Sequence, residues 1–317
     1  MSIGSGAVLR ALRRAVGDRA PVAEPEPADA RYDAWLADDR LARIDAACAT
    51  GGPERYALFR ELETDLWALL LTQEYTLHPH IRELLPDVPE PEWQQLWNGA
   101  SGVRLAAQSA AFYDRLRARY GRPLGDARVL DFGCGWGRLT RYLARDVAPG
   151  MLYGCDPVQG ILDVCRRSGV PATLARSDHV PDRLPFDGRF ELAFAFSVFT
   201  HLSEAAHEAC LRALHRALAP GGVLVVTVRP LEYLRFNPAM HELAAAHADR
   251  LDEPLYLFAP HPPEPQHPQY AGGEMTYGET VITPAYIRER WSPLFALDHV
   301  DVLIADLYQV MLTLRAL

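Results

Sequence analysis

Apolar residues recur three and four positions apart from about residue 31 to residue 120. The segments LARIDAACA, ERYALFRELETDLWALLLTQEY and GVRLAAQSAAFYDRLRARY carry this spacing, which is typical of amphipathic helices. No alternating strand pattern interrupts them, and the proline-rich segment HPHIRELLPDVPEPE (78–92) is expected to join two helices. We therefore predict a helical lobe over residues 31–120.

The pattern changes after Gly121 to short apolar runs that alternate with helical stretches. Four such alternations, from ARVLDFG to GVLVVTV, predict a parallel sheet with crossover helices. Thr283 and Pro284 suit the N-cap and first turn of a further helix. The runs FALDHVDVLI and YQVMLTLRAL are close enough to pair as a hairpin. The predicted fold is α/β, a Rossmann-like, mostly parallel seven-stranded sheet with an antiparallel C-terminal hairpin strand over residues 121–317.

About fifty residues separate the fifth strand from Thr283, and they include LEYLRFNPAMHELAAAHADR and a stretch rich in proline and histidine. An unstructured loop of this length is unusual inside a compact domain. We predict a part-helical insertion over residues 231–282 that lies at the ligand end of the sheet and is a candidate substrate lid.

Residues 1–30 are predicted to form an N-terminal helix, SGAVLRALRRAVGDR, followed by a linker rich in proline, alanine and glutamate. The apolar run of this helix is too short for a membrane span or a signal segment. The sequence leaves the role of the basic helix face open.

Charge and cysteine usage narrow the class of protein. The chain of 317 residues has a formal net charge of −9 and contains no lysine, and its arginines are not gathered in one block, which argues against a nucleic-acid-binding surface. The five cysteines form no C-x-x-C pair, as expected of reduced thiols in a cytoplasmic protein. We expect no metal site, because the histidines at 261 and 267 have neither helical spacing nor a cysteine partner.

The stretch VLDFGCGWGR (129–138) places glycines after a buried strand, where they let the backbone turn sharply and approach a ligand. Its spacing is G-x-G-x-G rather than the G-x-G-x-x-G of dinucleotide-binding turns. Asp131 at the strand tip would repel a pyrophosphate. A ligand with an ammonium and a sulfonium and no phosphate, such as S-adenosylmethionine, fits this charge better.

Three later segments extend the pattern. Asp156 ends the second strand, twenty-five positions after Asp131, where nucleoside-binding α/β folds hold ribose hydroxyls. Asp178 lies in ARSDHVPDRLPFDG after the third strand, and LAPGG precedes the fifth. Over residues 121–230 this ordered series resembles the class I S-adenosylmethionine-dependent methyltransferases. Each of the three aspartates has a plainer alternative: Asp131 as a cap of the turn that follows it, and Asp156 and Asp178 as residues of ordinary turns.

The resemblance implies that S-adenosylmethionine is the cofactor. It places the methionine portion at the glycine loop, the ribose at Asp156, the adenine at Asp178 and His179, and the sulfonium side near Ser197. The predicted cofactor-binding residues are Asp131, Phe132, Gly133, Cys134, Gly135, Gly137, Arg138, Asp156, Pro157, Asp178, His179 and Ser197.

His201 follows the fourth strand at the ligand end of the sheet, so it is the predicted general base or acceptor-orienting group. A histidine that only bonds a neighbouring loop is the alternative. The residues predicted to contact the acceptor lie in the helical lobe, at the tip of strand five and in the insertion: Tyr75, His78, Trp97, Arg229, Glu274, Tyr277 and Glu279. The alternatives are a core position for Trp97 and, for the three insertion residues, a cap of the helix that begins at Thr283.

The sequence thus predicts a cytoplasmic methyltransferase that acts on a small-molecule acceptor, at a hydroxyl group, with no nucleic-acid partner and no membrane span. Methylation of a nitrogen, a peptide or a protein side chain is the alternative within enzymes, because this fold carries many acceptors. A binding module that holds S-adenosylmethionine without transferring the methyl group is the alternative from another class. The sequence leaves the oligomeric state open.

Overall fold

A computed structural model describes residues 38–52, 54–72, 78–262, 270–271 and 273–317 of the chain. The predicted N-terminal helix and linker, together with Tyr75 and the histidine at 267, lie outside these residues. None of the helices in the described ranges combines the length and the apolar character needed to cross a bilayer.

Seven strands form the main sheet, in the order β10-β11-β5-β4-β1-β2-β3. The strands are β1 Val129–Phe132, β2 Leu152–Asp156, β3 Thr173–Arg176, β4 Phe190–Ala195, β5 Leu218–Val228, β10 Phe295–Val302 and β11 Val310–Ala316. Strands β1 to β5 pair in parallel, whereas β11 is antiparallel to both β5 and β10. The predicted fold is confirmed. The strand order reverses between β1 and β4, the place where ligands bind in open α/β sheets.

Helices cover both faces of the sheet. They are α1 Asp39–Cys48, α2 Thr64–Thr72, α3 Pro79–Leu84, α4 Pro91–Asn98, α5 Gly102–Tyr120, α6 Thr140–Leu143, α7 Gln159–Arg167, α8 Glu204–Ala217, α9 Tyr233–Phe236, α10 His241–Ala246 and α11 Pro284–Arg290, with 3-10 turns at Arg55–Glu61 and Pro238–Met240. Successive strand residues point to opposite faces, so Val129 packs in the core with α2 and α5 while Leu130 packs with α8 and α11.

The helices of the predicted lobe share an apolar core with the sheet. The Phe112 ring of α5 lies 5.9 Å from that of Phe194 on β4, and buried Trp67 donates to the carbonyl of Tyr142 at 3.1 Å. These helices therefore cover one face of the sheet, and the boundary between lobe and sheet domain at residue 120 stays a prediction.

Two buried arginines also join the helices before residue 120 to the segment after the glycine loop. Arg145 donates to the carbonyls of Phe59 and Leu62 at 3.2 and 2.9 Å. Arg141 donates to the carbonyls of Asp87 and Gly137 at 3.2 and 3.0 Å. Because a guanidinium carries several donors in a fixed plane, each arginine satisfies carbonyls from separate segments at once.

The insertion contains more strand than we predicted. After α9 and α10, β6 (Tyr256–Pro260) pairs antiparallel with β9 (Gly278–Ile282), and the short strands β7 (Tyr270–Ala271) and β8 (Glu274–Met275) pair with each other. Residues 261–277 separate β6 from β9 in the chain, so this pairing leaves no local pattern. Gly278 N donates to the carbonyl of His201 at 2.8 Å, which fixes β9 beside the loop that follows β4. A lid function of the insertion stays a prediction.

Thr283 is the N-cap of α11, as predicted, and it is fully buried. Its hydroxyl accepts from Leu255 N at 2.9 Å and donates to the carbonyl of Glu253 at 2.6 Å. We expect Thr283→Ala to lower the free energy of unfolding by about 1–2 kcal/mol, because it removes the cap and leaves buried backbone groups without a partner. Denaturant unfolding measures this loss.

Thr283→Ser is the matched control for this prediction, since it keeps the oxygen and removes only a methyl group. It should lie nearer to the wild type. Equal losses in the alanine and serine variants would contradict a capping role.

Candidate functional site

The glycine loop turns back on the sheet directly after β1. Gly133, Gly135 and Gly137 have φ values of 76°, 54° and 79°, a region that side chains rarely adopt. A Cβ added to Gly135 would lie 2.9 Å from Trp97 Nε1, and one added to Gly133 would lie 2.4 Å from Val198 Cγ2. The loop therefore requires glycine both for its backbone angles and for its close neighbours.

Asp131 lies at the tip of β1, buried beneath this loop. Burial raises its pKa to about 7, against the opposing effects of a hydrogen bond from Thr140 and the positive charge of Arg138. Thr140 Oγ1 donates to its Oδ2 at 2.6 Å. A carboxyl group that is this costly to ionise favours a positively charged ligand over a phosphate.

Asp156, at the tip of β2, connects that strand to the glycine loop. Its Oδ2 accepts from Gly135 N at 3.1 Å and its Oδ1 accepts from Val158 N at 2.9 Å, across the predicted site residue Pro157. Burial raises its pKa to about 6, although both backbone hydrogen bonds lower it. Asp156 therefore forms the turn that its plainer alternative predicted and also orients the loop, while its contact with a ribose stays a prediction.

Asp178 and His179 follow β3 at the same edge of the sheet. Ser177 N donates to the carbonyl of Asp156 at 3.2 Å, and the exposed side chain of Asp178 comes directly after it. The structure thus brings the predicted ribose and adenine residues together, and their roles stay predictions.

Ser197 follows β4 and is held in a strained conformation, with a φ of 59°. Its backbone NH donates to Thr227 Oγ1 at 2.7 Å, and its hydroxyl lies 3.2 Å from Thr200 Oγ1. The same hydroxyl accepts from Gln309 Nε2 at 3.1 Å and lies 3.5 Å from His201 Nε2. Strands β4 and β5 and the loop before β11 therefore converge on this serine.

His201 is buried beside Ser197, and its two ring nitrogens have different partners. Nδ1 lies 2.7 Å from the carbonyl of Gly278, so Nδ1 carries the proton in the neutral ring and donates it there. Nε2 then keeps its lone pair, with Arg229 Nη2 at 3.4 Å and the serine hydroxyl at 3.5 Å. The ring of Tyr277 stacks on the imidazole at a centroid distance of 4.9 Å.

Arg229 and Glu279 form a buried ion pair next to this histidine. Arg229 Nη2 lies 3.6 Å from Glu279 Oε2, which also accepts from the hydroxyl of Tyr233 at 2.8 Å. The guanidinium lies 4.2 Å from the centre of the Tyr233 ring, and Nη1 donates to the carbonyl of Tyr308 at 3.3 Å. Four residues predicted separately, His201, Arg229, Tyr277 and Glu279, thus form one cluster.

Three further predicted acceptor contacts, Trp97, His78 and Glu274, belong to other elements. Trp97 stacks on Trp93 at 5.5 Å and packs against Gly135, which places it at the cofactor loop. His78 is the N-cap residue of α3, and Glu274 is exposed on β8. Their contact with an acceptor stays a prediction.

Arg138, Phe132 and Cys134 are buried around the glycine loop. Arg138 Nη1 donates to Ser109 Oγ at 3.1 Å, and its guanidinium lies 4.6 Å from the centre of the Phe196 ring. Burial lowers the pKa of Arg138. Its side chain therefore fixes the loop against α5, and any contact of these three residues with the cofactor stays a prediction.

Sequence reasoning missed several residues that position the site: Thr140, Thr227, Tyr233 and Gln309. Thr140 had a local signal, because it is a hydroxyl residue in the first turn after the glycine loop. The other three meet the site only through tertiary contacts. Within the described part of the chain, no three histidine, cysteine, aspartate or glutamate side chains are grouped as a metal site would require.

Known proteins resemble this chain in the region of the glycine loop. Residues 129–222 match a family model described as a methyltransferase domain. A trans-aconitate 2-methyltransferase from Delftia acidovorans is 31% identical over 152 residues, which cover 47% of this chain and 55% of that protein. A ubiquinone biosynthesis O-methyltransferase from Azorhizobium caulinodans is 30% identical over 113 residues, which cover 35% and 43%.

Residues 129–222 therefore carry a methyltransferase domain. The chain spans about half the length of the curated relatives that it matches. Among solved structures, an S-adenosylmethionine-dependent methyltransferase from Mesorhizobium loti covers 66% of this chain and 99% of its own, at 22% identity and a TM-score of 0.45.

The methyltransferase domain fits its cofactor at the tips of β1 and β2. Two buried carboxyl groups with raised pKa values lie there, and Thr140 and backbone NH groups supply their described hydrogen bonds. The ammonium and sulfonium of S-adenosylmethionine are positive groups that a carboxylate attracts. Asp131 with the glycine loop is predicted to hold the methionine portion, and Asp156 the ribose.

The raised pKa of Asp131 predicts that cofactor binding by the methyltransferase domain depends on pH. A cation prefers the ionised carboxyl group, so binding should release a proton below pH 7 and affinity should rise from pH 6 to 7.5. Over most of this window the amino group of the ligand keeps its charge. Calorimetry in buffers of different ionisation enthalpy measures the released proton.

Asp131→Asn should bind S-adenosylmethionine more weakly and lose this part of the pH dependence. Asp163→Asn, a half-exposed aspartate of α7, is the control and should behave like the wild type. The same pH dependence in the Asp131 variant as in the wild type would exclude Asp131 as the titrating group.

Asp156→Ala should weaken cofactor binding by about 1–3 kcal/mol, because it removes both the hydrogen bond that orients Gly135 and the predicted ribose contact. Calorimetric titration with S-adenosylmethionine measures the change. Unchanged affinity would remove Asp156 from the site.

Proposed function

We propose that the protein is an S-adenosylmethionine-dependent methyltransferase that transfers a methyl group to a hydroxyl of a small molecule, in the cytoplasm. The observation that carries this proposal is the arrangement of His201, whose Nδ1 donates a hydrogen bond to the Gly278 carbonyl at 2.7 Å. Nε2 is then the basic nitrogen, at the carboxyl end of β4 and one strand from the glycine loop.

A basic nitrogen supports a hydroxyl as acceptor. When bound, the cofactor supplies a methyl group that its sulfonium already activates. A hydroxyl must lose its proton as it attacks, and a positioned histidine accepts such a proton efficiently. The described contacts of Nε2 with Arg229 and Ser197 are long, at 3.4 and 3.5 Å, and an acceptor hydroxyl can replace them.

The surroundings of His201 support a small acceptor. Strand β9 and the loop before β11 enclose the histidine, whose side chain is only 8% exposed, and a bulky chain segment fits such a buried position poorly. Two relatives are named for trans-aconitate and for O-methylation in ubiquinone biosynthesis. All five cysteines are buried free thiols, as a reducing compartment favours.

Calorimetry with S-adenosylmethionine, its demethylated product and NAD tests the cofactor assignment. A panel of hydroxylated, carboxylated and amino-bearing small molecules and peptides then tests transfer by detection of the methylated product. We expect binding of the first two ligands and product only from hydroxyl acceptors. Tight binding of NAD without S-adenosylmethionine would overturn the proposal, and cofactor binding without any product would favour a binding module.

His201→Gln should lower kcat by about 10²–10⁴-fold, because the proton of the acceptor loses its base. Its affinity for S-adenosylmethionine should stay close to that of the wild type. Steady-state kinetics and calorimetry measure the two quantities.

His299→Gln is the matched control, since His299 is exposed on the edge strand β10. It should leave both quantities unchanged. Wild-type turnover in the His201 variant would show that the base lies elsewhere or is not needed.

A further inference from the structure

We infer that Glu279, which the insertion contributes on β9, is a positioning residue that makes His201 able to accept a proton in the presence of Arg229. This inference rests on the proposed function, and it assigns Glu279 to the histidine and the arginine instead of the acceptor. It also gives the insertion a part in the reaction that differs from a lid.

The geometry of Glu279 is that of a shared counter-ion. Its Oε2 lies 3.6 Å from Arg229 Nη2 and 3.9 Å from His201 Nδ1, and it accepts from the Tyr233 hydroxyl at 2.8 Å. The side chains of Glu279, Arg229 and His201 are all at most 10% exposed, so water screens these charges weakly. One carboxylate thus serves two basic groups in a buried place.

Arg229 by itself would oppose proton transfer to His201. Its Nη2 lies 3.4 Å from Nε2, the nitrogen that has to take the proton. A protonated imidazole at this distance from a guanidinium is strongly disfavoured unless a negative charge lies near both. Glu279 supplies this charge from the Nδ1 side of the ring.

The same strand also fixes the orientation of the ring. The Gly278 carbonyl accepts a hydrogen bond from His201 Nδ1 at 2.7 Å, and the Gly278 NH donates to the His201 carbonyl at 2.8 Å. Thr280 N donates to the carbonyl of Thr200 at 2.9 Å. Three successive residues of β9 therefore set the tautomer, the electrostatic balance and the position of the loop that carries His201.

The other groups around His201 act on this balance less directly. They are the stacked Tyr277, the hydroxyl of Ser197 with its donor Gln309, Tyr233 through Glu279, and Asp306, whose burial raises its pKa against the opposing charges of Arg138 and Arg229. Of the ionisable groups whose contacts with His201 are described above, Arg229 and Glu279 come within 4 Å of its ring nitrogens. Their opposite charges predict opposite effects.

Two charge-removing variants test the inference. Glu279→Gln keeps an oxygen for the Tyr233 hydroxyl but removes the charge, so the acidic limb of the kcat/KM profile should move by about one unit to lower pH and kcat should fall roughly tenfold. Arg229→Gln removes the repulsion, so it should move the same limb to higher pH. A purely structural role would not give shifts of opposite sign.

A second readout is independent of turnover. The His201 ring signal in a proton NMR titration of the protein without ligands, assigned by its loss in His201→Gln, should shift in the same two directions. Glu242→Gln, an exposed glutamate of α10 in the same insertion, is the control and should titrate as the wild type does. If the wild type methylates no acceptor, the proposed function fails, whereas the NMR titration still decides the role of Glu279.

Thermal melting and binding of the demethylated cofactor establish that each variant is folded. Glu279→Asp keeps the charge on a shorter side chain, so it should shift the His201 titration in the same direction as Glu279→Gln but by less. It serves as the test if Glu279→Gln does not fold. The inference is overturned if the variants of Glu279 leave the His201 titration unchanged, or if Glu279→Gln and Arg229→Gln shift it in the same direction.

Discussion

The hydrogen bond from Gly135 N to the Asp156 carboxylate joins the glycine loop to the neighbouring strand, and the geometry of the cofactor end depends on it. Burial raises the pKa of Asp156, whereas the hydrogen bonds from backbone NH groups lower it and so favour the ionised carboxylate. Asp131, one strand away, is also buried and has a raised pKa, and its carboxyl group accepts a hydrogen bond from Thr140. Both strand tips are therefore acidic, poorly solvated and suited to a cation, which sets this loop apart from one that binds a pyrophosphate.

The buried arginine Arg141 also stabilises the glycine loop. Arg141 donates to the carbonyls of Trp136 and Gly137 in the loop and to those of Leu71 and Asp87 in the preceding helices. Burial lowers its pKa to about 10, so it still carries its charge at neutral pH. A guanidinium suits this position because its planar donors can satisfy several carbonyls at once. The chain contains no lysine, so all 32 of its Lys and Arg side chains are arginines. The helices before residue 120 thus fix the loop as well as cover the sheet.

The acceptor end depends on the insertion for a related electrostatic reason. Strand β9 brings a carbonyl and a carboxylate to His201, whose own loop supplies Ser197 and Thr200. A histidine beside a buried arginine needs a nearby negative charge to become a base, and Glu279 of β9 supplies one at 3.9 Å from Nδ1. The sheet therefore supplies the predicted cofactor end, while strand β9 of the insertion completes the cluster at the predicted acceptor end.

The sequence by itself determined the order of the main-sheet strands and their helices, the glycine loop, the cap at Thr283 and the C-terminal hairpin, because each depends on periodicity or on residues close in the chain. It also identified His201, Arg229, Tyr277 and Glu279 as separate candidates. Only the tertiary structure decided that they meet, since His201 and Arg229 are 28 positions apart and β9 pairs with β6, from which residues 261–277 separate it in the chain. Thr227, Tyr233 and Gln309 left no local signal for the same reason. Local patterns specify elements, whereas the partners of a buried charge are specified by packing between elements distant in the chain.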